Sequence, residues 1–336
     1  MVNVIIPVAG LGTRLRPQTW SKPKPLVSVA GKPVLGHVLD RLSVLELDKV
    51  VFVTGYLGDQ IEQYVRKHYD FDARFVAQRE QLGQSHAVQM ACDEVTGPTI
   101  IVFPDMIFEA DLTILPRIDC DGAIFGKAVE DPRRFGVIVE DHGRIVELVE
   151  KPADPISNLA VVGIYYFRQI ESLFEAIKYQ MDHDIQQGNE YYLADALQHL
   201  IDNGTVLTRL PVDVWEDCGK PEALLSTNRF LLRKSGDTPN VPGSVIVPPV
   251  VIAPTAKIRN SVIGPFASVG AGVTISNSIV TDSIVDDGAQ IETVMLRGSI
   301  VGQNAYVRGD FMRVNVGDSS DIVLAANSES AGQTRG

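Results

Sequence analysis

The chain has 336 residues, 45% hydrophobic and 21% charged, with a formal net charge of -12 at pH 7; at about 150 residues per domain this suggests roughly two domains. So acidic a chain argues against a nucleic-acid or anionic-membrane surface, because both need an extended basic face. Cys92, Cys120 and Cys218 are widely spaced and lack CxxC pairing, which excludes an obvious zinc cluster and leaves them as packing thiols.

In chain order, VNVIIPV (2–8) predicts a buried strand, Val34 to Leu45 a helix, and KVVFVTG (49–55) a second strand. Asp59 to Tyr69 predicts a helix, ARFVAQ (73–78) a strand, and PTIIVFPD (98–105) a fourth strand. Apolar strands separated by amphipathic helices indicate an α/β fold with a Rossmann-like mixed, mainly parallel sheet. In such sheets ligands bind beyond the carboxyl ends of the strands. This domain is expected over 1–233, with the Gly/Pro/polar segment KSGDTPNVPG as a linker at 234–243.

Beyond the linker, aliphatic residues recur at Ile252, Ile258, Ile263, Val269 and Ile275, spaced by six residues or occasionally five. Serine followed by two β-branched residues recurs at Ser261, Ser278, Ser283 and Ser299. A hexad of this kind predicts a parallel β-helix over 244–317, with irregular coils past Ile275 where the sextet loosens. A β-sandwich would instead alternate apolar and polar residues over longer runs. Residues 318–336 have no periodicity and read as a flexible tail. No basic n-region and apolar core follow Met1, and no apolar run approaches about 18 residues. The expected location is therefore the cytoplasm.

The chemistry concentrates in VIIPVAGLGTRLRPQTWSKPKP (4–25), where four basic residues and no acid follow two glycines. A dinucleotide fingerprint would place a third glycine where Leu15 stands, and no Walker GK[ST] is present. What remains is a tight turn at Gly10 and Gly12 whose backbone N–H groups can approach an anion. Arg14, Arg16, Lys22 and Lys24 bring side-chain charge to it, on a path expected to be stiff and extended because of Pro17, Pro23 and Pro25. The six histidines form no metal or triad pattern and are expected at the surface, in caps or in packing.

The full string, with Lys22-Pro-Lys-Pro-Leu26 and Gly31-Lys-Pro33, resembles the signature of the sugar-1-phosphate nucleotidylyltransferases, some of which carry a left-handed β-helix. The resemblance implies a nucleotide site at Ala9, Gly10, Leu11, Gly12, Thr13, Arg14 and Lys24, with Arg14 holding the triphosphate and Lys24 reaching the phosphates. Gln78 and Gly83 resemble the element whose glutamine reads a pyrimidine edge, a task an amide suits through its paired donor and acceptor. Asp105 and Asp217 resemble the metal aspartates, and two carboxylates suit Mg²⁺, which completes its octahedron with water and phosphate oxygens. Gly136, Glu150, Lys151 and Glu190 resemble the sugar-phosphate side, with Lys151 on the sugar phosphate. Family asparagine is replaced by Met106, and Gln84 stands where Thr or Leu is frequent.

The implied activity makes an NDP-sugar and pyrophosphate from an NTP, UTP or dTTP, and a hexose 1-phosphate, glucose 1-phosphate by default. Arg14, Lys24, Asp105, Lys151 and Asp217 are the expected catalytic residues. Two alternatives stand beside it. One is a bifunctional enzyme whose β-helix is an acyltransferase, against which the absence of any histidine after His199 argues. The other is a non-catalytic NDP-sugar-binding paralogue, which should have lost some of these residues. A homo-oligomer is expected, because repeat ends and exposed coil faces favour assembly.

Overall fold

The computed structural model describes residues 1–154, 156–234 and 239–310; the expected tail lies outside them, as does part of the linker and residues 311–317. A nine-stranded sheet organises the amino-terminal part, with one path ordered Arg144–Glu150, Gly136–Asp141, Leu159–Phe167, Thr99–Val102, Val2–Val8, Leu47–Thr54 and Asp72–Ala77. The last four strands of that path run parallel to one another. Leu159–Phe167 lies antiparallel to Thr99–Val102 and begins the antiparallel half. The sheet is thus the mixed α/β one the sequence implies, and its parallel strands read as continuous apolar runs because both faces are covered. Val4, Ile5 and Ile6 are all fully buried, alternating between two separate cores.

Helices α1 (Val34–Leu42), α2 (Gly58–His68), α3 (Gln84–Gln89), α4 (Glu171–Asp182), α5 (Leu193–Asp202) and α6 (Pro221–Leu232) complete this part. The predicted strand 98–105 stops at Val102, so Asp105 stands on a turn between Thr99–Val102 and the next strand, Met106–Glu109. The predicted helix from Val34 stops at Leu42, after which Leu45 N donates to Leu42 O at 3.0 Å in a turn.

From Val245 to Arg308 three parallel sheets of four strands each form a left-handed β-helix. Its interior is three ladders: Ile246, Ile263, Val280 and Leu296; Ile252, Val269, Val285 and Val301; Ile258, Ile275, Ile291 and Val307. The irregularity expected past Ile275 does not occur. Each coil still presents one aliphatic residue per face, and buried serines, Ser278 and Ser283, fill the first two shortened corners past Ile275. Ser278 Oγ donates to Ser276 O at 2.7 Å and accepts from Val294 N at 3.2 Å, tying one coil to the next. Left-handed backbone at Asn260, Asn277 and Asp282 turns these corners.

The β-helix lies against the amino-terminal part. Ile284 and Ile300 join Leu15, Val27, Val29 and Leu224 in one apolar cluster. Asn228 of α6 donates to Phe266 O at 3.2 Å and accepts from Ala30 N at 2.9 Å, while Arg229 Nη2 donates to Asp282 Oδ2 at 2.6 Å. Among the described residues no helix is long and apolar enough to cross a membrane.

Candidate active site

The strand Val2–Val8 delivers the chain to Ala9 and Gly10 at its carboxyl end. Gly12 has φ 62°, and a Cβ there would stand 2.8 Å from Lys24 Cβ, so only glycine lets the loop fold back against Lys24. Thr19 Oγ1 donates to Gly12 O at 2.8 Å and holds that fold. The path is wound, not extended: Thr13–Leu15, Gln18–Trp20 and Lys24–Leu26 are three short 3-10 turns. A proline's fixed φ suits the opening of such a turn as well as it suits an extended segment, and local contacts chose the turn.

The four basic residues diverge. Lys24 Nζ reaches Asp105 Oδ2 at 2.9 Å. The Arg16 guanidinium lies 4.0 Å from the Trp20 ring centre. Lys22, expected only to raise the local positive potential, is neutralised by an ion pair with Asp286 of the β-helix. Arg14 packs beside Gly219, where an added Cβ would lie 3.2 Å from its Nη2 and 2.9 Å from Asp217 Oδ1. Leu11 and Thr13 are exposed at the loop's tip.

A first cavity is lined by Ala9, Gly10, Lys24, Gln78, Gly83 and Asp105, among others. Gln78 is buried; its backbone N donates to Thr54 O at 2.8 Å, and its Nε2 lies 2.9 Å from His86 Nδ1. Gly83, at φ 106°, nests against the backbone of Tyr191, whose N and O would both be 2.7 Å from a Cβ. Glu190 also lines this first cavity, not the second. Gln81, which sequence reading passed over, donates from Nε2 to Ala9 O at 2.8 Å and ties the Gln78–Gly83 segment to the glycine loop.

A second cavity shares Gln84, Phe103 and Asp105 with the first and contains Arg14, Gly136, Glu150, Lys151 and Asp217. A Cβ on Gly136 would sit 3.0 Å from Glu150 Oε2, so the missing side chain leaves that carboxylate its place. Burial pushes the Glu150 carboxyl above the usual carboxylate range, against the opposing pull of Lys151, whose Nζ is 3.3 Å from Glu150 Oε1. Burial would lower the Lys151 ammonium, but Glu150 and Tyr192 outweigh it and raise its pKa. Lys151 Nζ lies 4.5 Å from the Tyr192 ring centre and 3.4 Å from Tyr192 Oη, and its backbone is held at φ 44°. A non-glycine residue in that conformation carries strain, which tends to collect where a side chain must be aimed. Trp215 packs on Phe135 with ring centres 4.8 Å apart. Arg134, which sequence reading passed over, also lines this cavity, as do Trp215 and Lys220 from the same 214–222 stretch that supplies Asp217.

Asp105 and Asp217 approach because Met106–Glu109 pairs antiparallel with Val214–Asp217, setting Asp217 opposite Met106, and Cys218 N donates to Asp105 O at 2.9 Å. One oxygen of each carboxylate is engaged, Asp105 Oδ2 by Lys24 and Asp217 Oδ1 by Gly219 N at 2.7 Å. The donor set fits a hard divalent ion that needs one or two carboxylates and takes its other oxygens from water and phosphate. Among the described residues no group of three or more acidic, histidine or cysteine side chains could cage a metal by itself.

The chain belongs to the nucleotidyl transferase family, whose model matches residues 3–234. It is 30% identical over 359 aligned positions to a glucose-1-phosphate thymidylyltransferase of Streptomyces antibioticus, covering 96% of this chain and 99% of that one. It is 36% identical to the UTP-glucose-1-phosphate uridylyltransferase AglF of Haloferax volcanii, over 66% of this chain and 93% of the relative. It is also 36% identical to the bifunctional protein GlmU of Methanocaldococcus jannaschii, but spans only 55% of that protein's length. A UDP-glucose pyrophosphorylase solved with UDP-glucose shares the fold, with a TM-score of 0.62 and 21% identity over 70% of this chain and all of that one.

Proposed function

We propose that the protein is a sugar-1-phosphate nucleotidylyltransferase that makes an NDP-sugar and pyrophosphate from an NTP and a hexose 1-phosphate. The observation that carries this reading is the pair of cavities with Asp105 in their common wall, one lined by Gly10, Lys24 and Gln78, the other by Gly136, Glu150 and Lys151. UTP or dTTP with glucose 1-phosphate is the favoured pair, in keeping with the names of the Streptomyces and Haloferax relatives.

In this reading a phosphate oxygen of the sugar 1-phosphate attacks the α-phosphorus, the bond from that phosphorus to the β-phosphate oxygen breaks, and pyrophosphate leaves. The nucleophile is anionic at pH 7, so the protein's task is to position and neutralise two polyanions. Gly10 and Gly12 admit the triphosphate against backbone N–H groups, and Gln78 meets the base edge with an amide oriented by His86. Lys24 and Arg14 meet charge on the leaving pyrophosphate. Lys151 holds the attacking phosphate, and Glu150, beside Gly136, accepts hydrogen bonds from sugar hydroxyls. Asp105 and Asp217 are the residues that would hold Mg²⁺, which when bound supplies positive charge to the phosphate oxygens.

Homo-oligomerisation belongs to the same reading, because the exposed coil faces of a stacked repeat favour assembly. Sedimentation of a monomer at micromolar concentration would remove that part. The test of the activity is pyrophosphate release over a grid of the common NTPs against glucose, N-acetylglucosamine and mannose 1-phosphates with Mg²⁺. Release from at least one pair, abolished by a chelator, is expected; silence across the grid would sink the proposal.

A further inference from the structure

The β-helix meets the catalytic part on the far side of the loop that carries Gly12, Arg14 and Lys24. Leu15, at the end of the first 3-10 turn, is 1% exposed and shares an apolar cluster with Ile284 and Ile300 of the β-helix. Gln18 Nε2 reaches Ile300 O at 3.5 Å. Lys22, two residues before Lys24, is paired with Asp286, and the two side chains are only 13% and 15% exposed. Asp286 is itself aimed, since its Oδ1 accepts from Asp287 N at 2.9 Å and its backbone N donates to Val301 O at 2.9 Å. A lysine so neutralised adds little field at the phosphates. What it can do is fix a backbone.

We infer that Asp286 is a positioning residue for the nucleotide site: through Lys22 it clamps the glycine loop and thereby sets where Lys24 and Arg14 stand. The β-helix is then a working part of the site and not only a module for assembly. The clamp acts chiefly on the nucleotide, through Lys24, although Arg14 also lines the second cavity. It grips 15–22, which leads directly into Lys24, whereas Glu150 and Lys151 lie on the antiparallel half of the sheet. The coupling is also steep, because a displacement of about 1 Å at a catalytic group can cost on the order of 10²-fold in rate. A buried pair is the right device for it, since removing one partner leaves an uncompensated charge that drives local rearrangement.

This inference rests on the nucleotidylyltransferase reading, so the wild-type grid comes first: if wild type releases no pyrophosphate, it is that reading which fails. With an active wild type, Asp286→Asn and Lys22→Met are assayed for KM of the NTP and of the sugar 1-phosphate, and for Kd of the Mg²⁺-NTP complex by calorimetry. Expected is a rise of about tenfold or more in KM and Kd for the NTP, while KM for the sugar 1-phosphate stays within about twofold. The exchange Lys22→Asp with Asp286→Lys should recover most of the NTP affinity. The inference is overturned if both single variants fold and bind the NTP like wild type, or if both KM values rise together as a general loosening would make them. Should neither single variant fold, the exchanged pair decides: folding with recovered NTP binding supports the clamp, and folding with NTP binding still lost refutes it.

Discussion

Replacing Gly83 by alanine tests whether the turn between the two cavities is a structural joint or merely a permissive loop. Gly83 has φ 106° and ψ -172°, a region that only glycine occupies freely, and forcing alanine into it costs about 1–3 kcal/mol. The new Cβ would lie 2.7 Å from both the N and the O of Tyr191, which are backbone atoms and cannot swing aside. Those two atoms also make the hydrogen bonds that join the segments, Tyr191 N to Leu82 O at 2.8 Å and Ser85 N to Tyr191 O at 3.0 Å. Losing each costs about 1 kcal/mol net. Together the loss is about 3–5 kcal/mol. Urea unfolding with a shared slope measures it, and Gly10→Ala is the control. No atom lies within 4 Å of a Cβ at Gly10, and its φ is not positive, so stability should change by less than about 0.5 kcal/mol. Gly10 lines the first cavity, however, so its methyl group should raise KM for the NTP. A Gly83→Ala protein within about 1 kcal/mol of wild type would refute the reasoning, because it would mean that the Tyr191 segment yields without cost.

Lys24→Ala and Asp217→Asn should each lower turnover by about 10² to 10³, since each removes one charged contact from the transferring phosphates; near-normal pyrophosphate release would refute their roles. Glu150 should show a pH signature, because burial raises its carboxyl in the folded protein. A carboxyl raised on folding favours the native state below its unfolded pKa and loses that contribution as pH rises through the folded value. Relative to Glu150→Gln, which cannot ionise, wild type should therefore lose stability as pH rises above the ordinary glutamate value of about 4.3, as followed by urea unfolding at several pH values. Ile275 is fully buried between Ile258 and Ile291 in one ladder, and Ile275→Ala should destabilise the β-helix by about 2–5 kcal/mol in thermal or urea melts.

Much of the site was legible because its parts are local. The run Val4 to Val8 ends in two glycines, and a chain that leaves a parallel strand through glycines exposes backbone N–H groups whatever its distant partners are. Asp105, beside Pro104, and Gly136, at the start of an apolar strand, could be marked only through the family resemblance of their segments. Gln81 and Arg134 could not, because nothing in their neighbourhood distinguishes them from surface residues until Ala9 or the wall of the second cavity is brought alongside. The β-helix was misread only past Ile275. There the sextet shortens, and the reading lacked the fact that a buried serine can close a five-residue corner by bonding within its own coil and to the next.

By itself the sequence determined the strand runs, the aliphatic ladders and the presence of a basic loop, because these depend on side-chain periodicity and backbone freedom within a few residues. Only the tertiary structure decided what each of the four basic residues does. Lys22 meets Asp286, 264 positions away, Arg16 turns onto Trp20, Lys24 meets Asp105, and Arg14 packs beside Gly219. A formal charge is written in the sequence, but the field it exerts depends on the counter-charge within a few ångströms, and folding alone sets that distance.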